Sequence, residues 1–149
     1  MKYVNLIALT KQFVKNTLKD AEGGHDWFHT LRVFNNALLI SENENVDIEI
    51  VSLAALLHDI ADSKFHDGDE TVGPTIARKF LFKQNVDSLI IEHVVAIIKN
   101  MSFKNSLDSE KKFTSLELQV VQDADRLDAI GAIGTVSYTH LTLPTIYSV

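Results

Sequence analysis

His58-Asp59 lies in the most apolar stretch of the chain, between Leu57 and Ile60. Burying an imidazole and a carboxylate among apolar side chains is costly unless each finds a partner. A divalent metal ion is one such partner. Imidazole and carboxylate are both good ligands, and helix neighbours can reach an ion that lies off the face between them. A buried ion pair or a hydrogen-bonded core histidine meets the same requirement, and the dipeptide alone leaves these alternatives open. Two other clusters bear on the choice. His29 stands in Trp27-Phe28-His29-Thr30-Leu31-Arg32-Val33, with Arg32 three residues on and therefore on the same helical face. Further along comes Asp123-Ala124-Asp125-Arg126-Leu127-Asp128. Helical positions two apart point about 200° apart, so Asp123 and Asp125 cannot face one site, whereas Asp125 and Asp128 can.

These residues need helices to carry them, and the apolar spacing is helical almost throughout. Val4, Ile7, Ala8, Phe13 and Val14 outline a first helix with one face to a core. Glu22-Gly23-Gly24 breaks it. A second helix is expected from about His25 to Asn43, with Leu31, Val33, Phe34, Ala37 and Leu38 inward. Asp47 is suited to cap a third, Ile48 to Ala61, which is apolar nearly all round and so buried on most sides. Residues Ser63 to Gly73 are polar and read as a loop. Pro74 fits the first turn of a fourth helix through Ile76, Ala77, Phe80 and Leu81. Asp87 caps a fifth, Ser88 to Asn100, with Leu89, Ile90, Val94, Val95, Ile97 and Ile98. Thr114 and Glu117 form a capping-box pattern that opens a sixth through Leu118, Val121, Ala124 and Leu127 to about Ile130, with Gly131 or Gly134 ending it. The expectation is a compact all-α bundle in a single domain.

Composition narrows the function classes. The chain has 149 residues, 46% hydrophobic and 23% charged, which excludes a disordered or fibrous protein. It has no cysteine, which excludes disulfides, a thiolate zinc site and a cysteine nucleophile. Its net charge of −6 argues against a nucleic-acid polymer as partner. A small phosphorylated substrate remains compatible, because a bound metal reverses the local field. No apolar run reaches the roughly 18 residues of a membrane span, and Met1 to Lys15 lacks a signal-peptide layout, so a cytoplasmic location is expected.

Taken in order, His29, His58-Asp59 and Asp125 match the H…HD…D pattern of the HD-superfamily metal-dependent phosphohydrolases. The strings His25-Asp26-Trp27-Phe28-His29, Ala54-Ala55-Leu56-Leu57-His58-Asp59-Ile60-Ala61-Asp62 and Ala124-Asp125-Arg126-Leu127-Asp128-Ala129 resemble those of small bacterial members that hydrolyse nucleotides or similar phosphate compounds. An HD dipeptide alone is a weak signal; the four-residue pattern on successive helices is strong. The resemblance runs from about Gly23 to Gly134. It implies an HD-domain helical bundle with His29, His58, Asp59 and Asp125 as ligands of one divalent ion. That ion is expected to be manganese, with magnesium, cobalt, nickel or iron as alternatives. The reaction it implies is cleavage of a phosphoester or phosphoanhydride bond of a nucleotide-like compound by metal-activated water. A non-catalytic metal- or nucleotide-binding module and an inactive fragment are the competing readings. A homo-oligomer is compatible with any of the three.

Other residues take roles from their position. Asp62 and Asp67 follow the HD pair, and acidic residues in similar places of some relatives are proposed to handle the attacking water. A solvated helix end is the alternative for both. Lys64 and His66 share that loop and could meet a phosphate or be ordinary surface. Arg32 and Arg126 are stronger phosphate candidates, although each could pair with a ligand carboxylate instead. His25-Asp26 is a second His-Asp dipeptide at a helix start, where His25 reads as an entry residue or a substrate contact. A single His93 on the fifth helix either lines the site or belongs to core or surface, and it favours a mononuclear centre. Charged residues stop after Asp128. The uncharged, β-branched segment 136–149 fits a helix poorly and does not resemble the family. Residues 1–135 are therefore expected to form a C-terminally incomplete HD domain and 136–149 a tail of foreign sequence.

Overall fold

The computed structural model describes residues 2–19, 26–61, 71–102 and 113–137. They form six helices, and no strand occurs among them: α1 (Lys2–Leu18), α2 (Asp26–Ser41), α3 (Ile48–Leu57), α4 (Val72–Lys83), α5 (Ser88–Ser102) and α6 (Leu116–Ser137). The all-α expectation holds. Residues 62–70 and 138–149, which include Asp62, Lys64, His66, Asp67, His140 and most of the expected tail, lie outside the described residues, as does His25.

The organising element is α3. All of Ile50 to Leu57 is buried, and α3 packs against α1, α2, α5 and α6. Its start is set by Asp47, whose carboxylate accepts the Glu49 N–H at 3.0 Å, as the sequence predicts. Its end differs from the expected Ala61. The helix stops at Leu57, and His58 is its C-cap. The reason is the imidazole. His58 Nδ1 lies 2.7 Å from the Ala55 carbonyl. In a continuing helix that carbonyl would take the Asp59 N–H. Ile60 N–H instead turns back to Leu57 O at 3.3 Å. His58-Asp59 thus sits at the lip of the buried helix and not within it.

The outer helices dock on α3 by side-chain ties as well as apolar area. Tyr3 of α1 shares a 2.7 Å hydrogen bond with the buried Ser52. The Phe13 ring of α1 stacks on Phe80 of α4 at 4.3 Å between centroids. On α1 the inward face is Leu6, Ile7, Thr10, Val14 and Leu18, whereas the expected Val4 and Ala8 point outward. The stripe was hidden because it passes through Thr10, whose buried hydroxyl is satisfied by Leu6 O at 2.7 Å. Leu89 on α5 and Leu127 on α6, both expected inward, are exposed.

Two other helix limits depart from expectation. Ser115, not Thr114, caps α6, its Oγ accepting the Leu118 N–H at 3.1 Å. The helix also continues through Gly131 and Gly134 to Ser137. Glycine inside a helix costs only about 1 kcal/mol against alanine and does not by itself end one. α4 ends in a Schellman arrangement: Val86 N–H reaches Leu81 O at 3.2 Å and Asn85 N–H reaches Phe82 O at 3.1 Å. Asn85 there has φ 60°, where an alanine is strained. Asn85→Ala should therefore lower stability by about 1 kcal/mol and Asn85→Gly should not. Equal denaturation midpoints for the two variants would contradict this account of the turn.

Candidate metal centre

α2, α3 and α6 bring three of the predicted ligands together. His29, His58 and Asp125 each offer one ligand atom, and these atoms all lie within 4.8 Å of one another. His29 Nε2 is 3.2 Å and His58 Nε2 is 3.9 Å from Asp125 Oδ1. The two rings meet edge-on, 5.7 Å apart. Asp59, predicted as the fourth ligand, is half-buried in the turn directly after His58 and is not one of these three.

The orientation of both rings follows from what holds the other nitrogen. A carbonyl can only accept, so His58 Nδ1 carries the proton it gives to Ala55 O, and Nε2 is left with a lone pair. Asp128 does the same for His29, lying 2.6 Å from Nδ1. Once a bound cation displaces the proton between His29 Nε2 and Asp125, two lone pairs and a carboxylate oxygen converge. A mixed nitrogen and oxygen set of this kind suits a divalent first-row ion, and the arrangement is a potential metal site.

Asp128 is the residue the sequence reading left without a role. It is 9% exposed and sits between His29 and Arg32. Arg32 Nε donates to its Oδ1 at 2.5 Å and Nη2 to its Oδ2 at 3.3 Å. Burial pushes the Asp128 carboxyl up, but the hydrogen bonds from Arg32 and His29 outweigh it and leave the group below the usual carboxylate range. A signal was present: His29 with Arg32 and Asp125 with Asp128 are matched pairs three residues apart on two helices. Arg32, predicted to bind phosphate, is thus engaged by Asp128. Arg126 is turned to an exposed pair with Asp123 at 3.1 Å. His93 braces the start of α6, its Nε2 2.9 Å from Ser115 Oγ.

Without a metal, His29 lies between two carboxylates. The Asp125 hydrogen bond raises its pKa most; burial opposes, and Asp128 adds to the rise, giving about 9 against an ordinary 6.5. A group raised in this way stabilises the fold fully below about pH 6.5 and loses that contribution as the pH rises through about 9. Asp128, being lowered, contributes above the ordinary carboxylate range and loses its share as the pH falls. The melting temperature of chelator-treated protein should therefore fall between pH 6.5 and 9, and His29→Gln should flatten that fall. The same slope in both proteins would show that His29 is not the titrating group.

Comparison with known proteins supports the fold. The family described as HD domain matches residues 27–130, a span that contains all three converging residues. The Bacillus subtilis protein YpgQ is 38% identical over 138 residues, covering 90% of this chain and 65% of YpgQ. A crystal structure described as an HD-superfamily hydrolase from Bacillus thuringiensis is 37% identical, with a TM-score of 0.72 over 91% of this chain and 65% of that one. YpgQ itself, solved in complex with ADP, superposes with a TM-score of 0.72 at 34% identity, covering 93% of this chain and 66% of that one. The chain spans just under two thirds of the length of the curated relatives it matches, 65% in each case.

Proposed function

The chain belongs to the HD domain family of hydrolase-like proteins, and on that premise we propose that it is a metal-dependent phosphohydrolase acting on a small phosphorylated compound, a nucleotide above all. The observation that carries the reading is the meeting of His29 Nε2 on α2, His58 Nε2 at the C-cap of α3 and Asp125 on α6. Two imidazoles whose Nδ1 atoms are both engaged, facing one carboxylate, support a donor set over a chance surface cluster. The ADP bound to YpgQ supports a nucleotide as the substrate class.

In this reading His29, His58 and Asp125 hold the ion, and Asp59 completes the set from its place beside His58. Manganese is the ion we favour, because the mixed donors suit a mid-row divalent metal. When bound, such an ion acidifies water and offsets charge on a phosphoryl oxygen. The protein's own groups prepare the site. His58 is fixed at the end of α3 by the Ala55 carbonyl, so its ring cannot rotate without breaking a 2.7 Å hydrogen bond. Asp128 holds the proton on His29 Nδ1 and keeps the other nitrogen directed at Asp125. Arg32 anchors Asp128 through two hydrogen bonds and is itself about half exposed, so its charge borders the site. That charge favours an anionic substrate. No described helix is long and apolar enough to cross a membrane.

A nucleotide panel with added manganese tests the proposal. The wild type should release phosphate or pyrophosphate from at least one member. His58→Ala and Asp59→Ala should each abolish turnover while keeping a helical spectrum. Metal bound in stoichiometric amount with no hydrolysis of any member would replace this reading with a binding module.

A further inference from the structure

Two to three turns before the converging donors, at the starts of α3 and α6, a second polar cluster joins the same two helices. Glu117, in the first turn of α6, extends its carboxylate to the N-cap of α3, where Oε2 accepts the Asp47 backbone N–H at 2.8 Å. The two residues are 70 apart in the chain. Glu117 is not spent on its own helix. Ser115 takes the capping duty, accepting the Leu118 N–H. Ser115 Oγ is in turn 2.9 Å from His93 Nε2 of α5, and the His93 ring lies edge-on to Phe113 at 5.4 Å. The same His93 nitrogen is 3.8 Å from Glu117 Oε1. The Glu117 side chain is only 14% exposed.

This cluster has a geometric consequence. The N-termini of α3 and α6 meet at Asp47 and Glu117. Two to three turns later His58 Nε2 and Asp125 Oδ1 come within 3.9 Å. The helices therefore run side by side in the same direction, joined at their first turns and carrying the donors further along. Two parallel helices also place two positive dipole ends together, and the Glu117 carboxylate lies between them. A slip of α6 by one residue would move Asp125 about 1.5 Å along the axis, more than a metal coordination distance tolerates.

We propose that Glu117 is a positioning residue for the metal centre: its clasp on the Asp47 N–H, braced by His93 through Ser115, sets the axial register of α6 on α3 and so the spacing of Asp125 from His58. The inference rests on the metal-centre reading above. It assigns to Glu117 a role in ligand geometry that exceeds its share of fold stability.

Cobalt(II) is the probe, since its visible absorption reports ligand geometry and its titration reports affinity. Glu117→Ala should weaken cobalt binding on the order of tenfold, the size of loss that outer-sphere partners give, and should alter the visible bands. Glu117→Gln, whose amide oxygen can still accept from Asp47, should restore both. Asn85→Ala, which loosens the α4 turn instead, should lower the melting temperature and leave both unchanged. If Glu117→Ala does not fold, Glu117→Asp, which withdraws the carboxylate by one methylene, is read in the same way. Wild-type bands and affinity in the alanine or aspartate variant would overturn the proposal, and so would failure of glutamine to restore them. A wild type that binds no cobalt would instead remove the metal-centre reading on which the clasp depends.

Discussion

A carboxylate buried at Asp128 is the charge around which this site is built. Buried alone it would be costly, and it is held below the usual carboxylate range only because Arg32 and His29 both donate to it. Those two donors stand three residues apart on α2, and Asp128 stands three residues after Asp125 on α6. One buried group therefore locks two helices face to face, selects the proton position on His29 and leaves the opposite nitrogen directed at Asp125. Removing it would take the shared acceptor from Arg32 and release the His29 ring.

The second constraint is where α3 ends. A helix buried on most sides has little room for charged side chains along its length, and here the helix stops at the residue that carries chemistry. His58 uses one nitrogen to satisfy the Ala55 carbonyl and presents the other to the site. The same contact that terminates the helix thus orients a donor. At the far end Asp47 and Glu117 join the starts of α3 and α6. The centre then lies two to three turns beyond a tie between the starts of this helix pair, with α2 attached through Asp128.

The helices themselves were readable in the sequence because apolar spacing and the caps at Asp47 and Asp87 are local signals. The residues that converge were named through a family pattern, not through spacing, since nothing in the primary structure states that α2, α3 and α6 meet. What escaped reading was set by tertiary contacts. Glu117 matches a capping box with Thr114, yet its carboxylate bonds 70 residues away. Asp128 is legible as sharing a helical face with Asp125, but its role depends on Arg32 lying opposite. The end of α3 depends on a ring-to-carbonyl bond that no periodicity reports. The α1 stripe ran through a threonine whose backbone bond made it fit for burial.

The central claim is that His29 and His58 bind one ion together with Asp125. X-ray absorption at the metal edge of manganese- or cobalt-loaded protein addresses it most directly, because imidazole rings give a distinct outer-shell scattering pattern. Two imidazole nitrogens among otherwise oxygen ligands are predicted for the wild type, and one for either His29→Ala or His58→Ala. A spectrum of oxygen ligands alone, or one unchanged by both substitutions, would contradict the account.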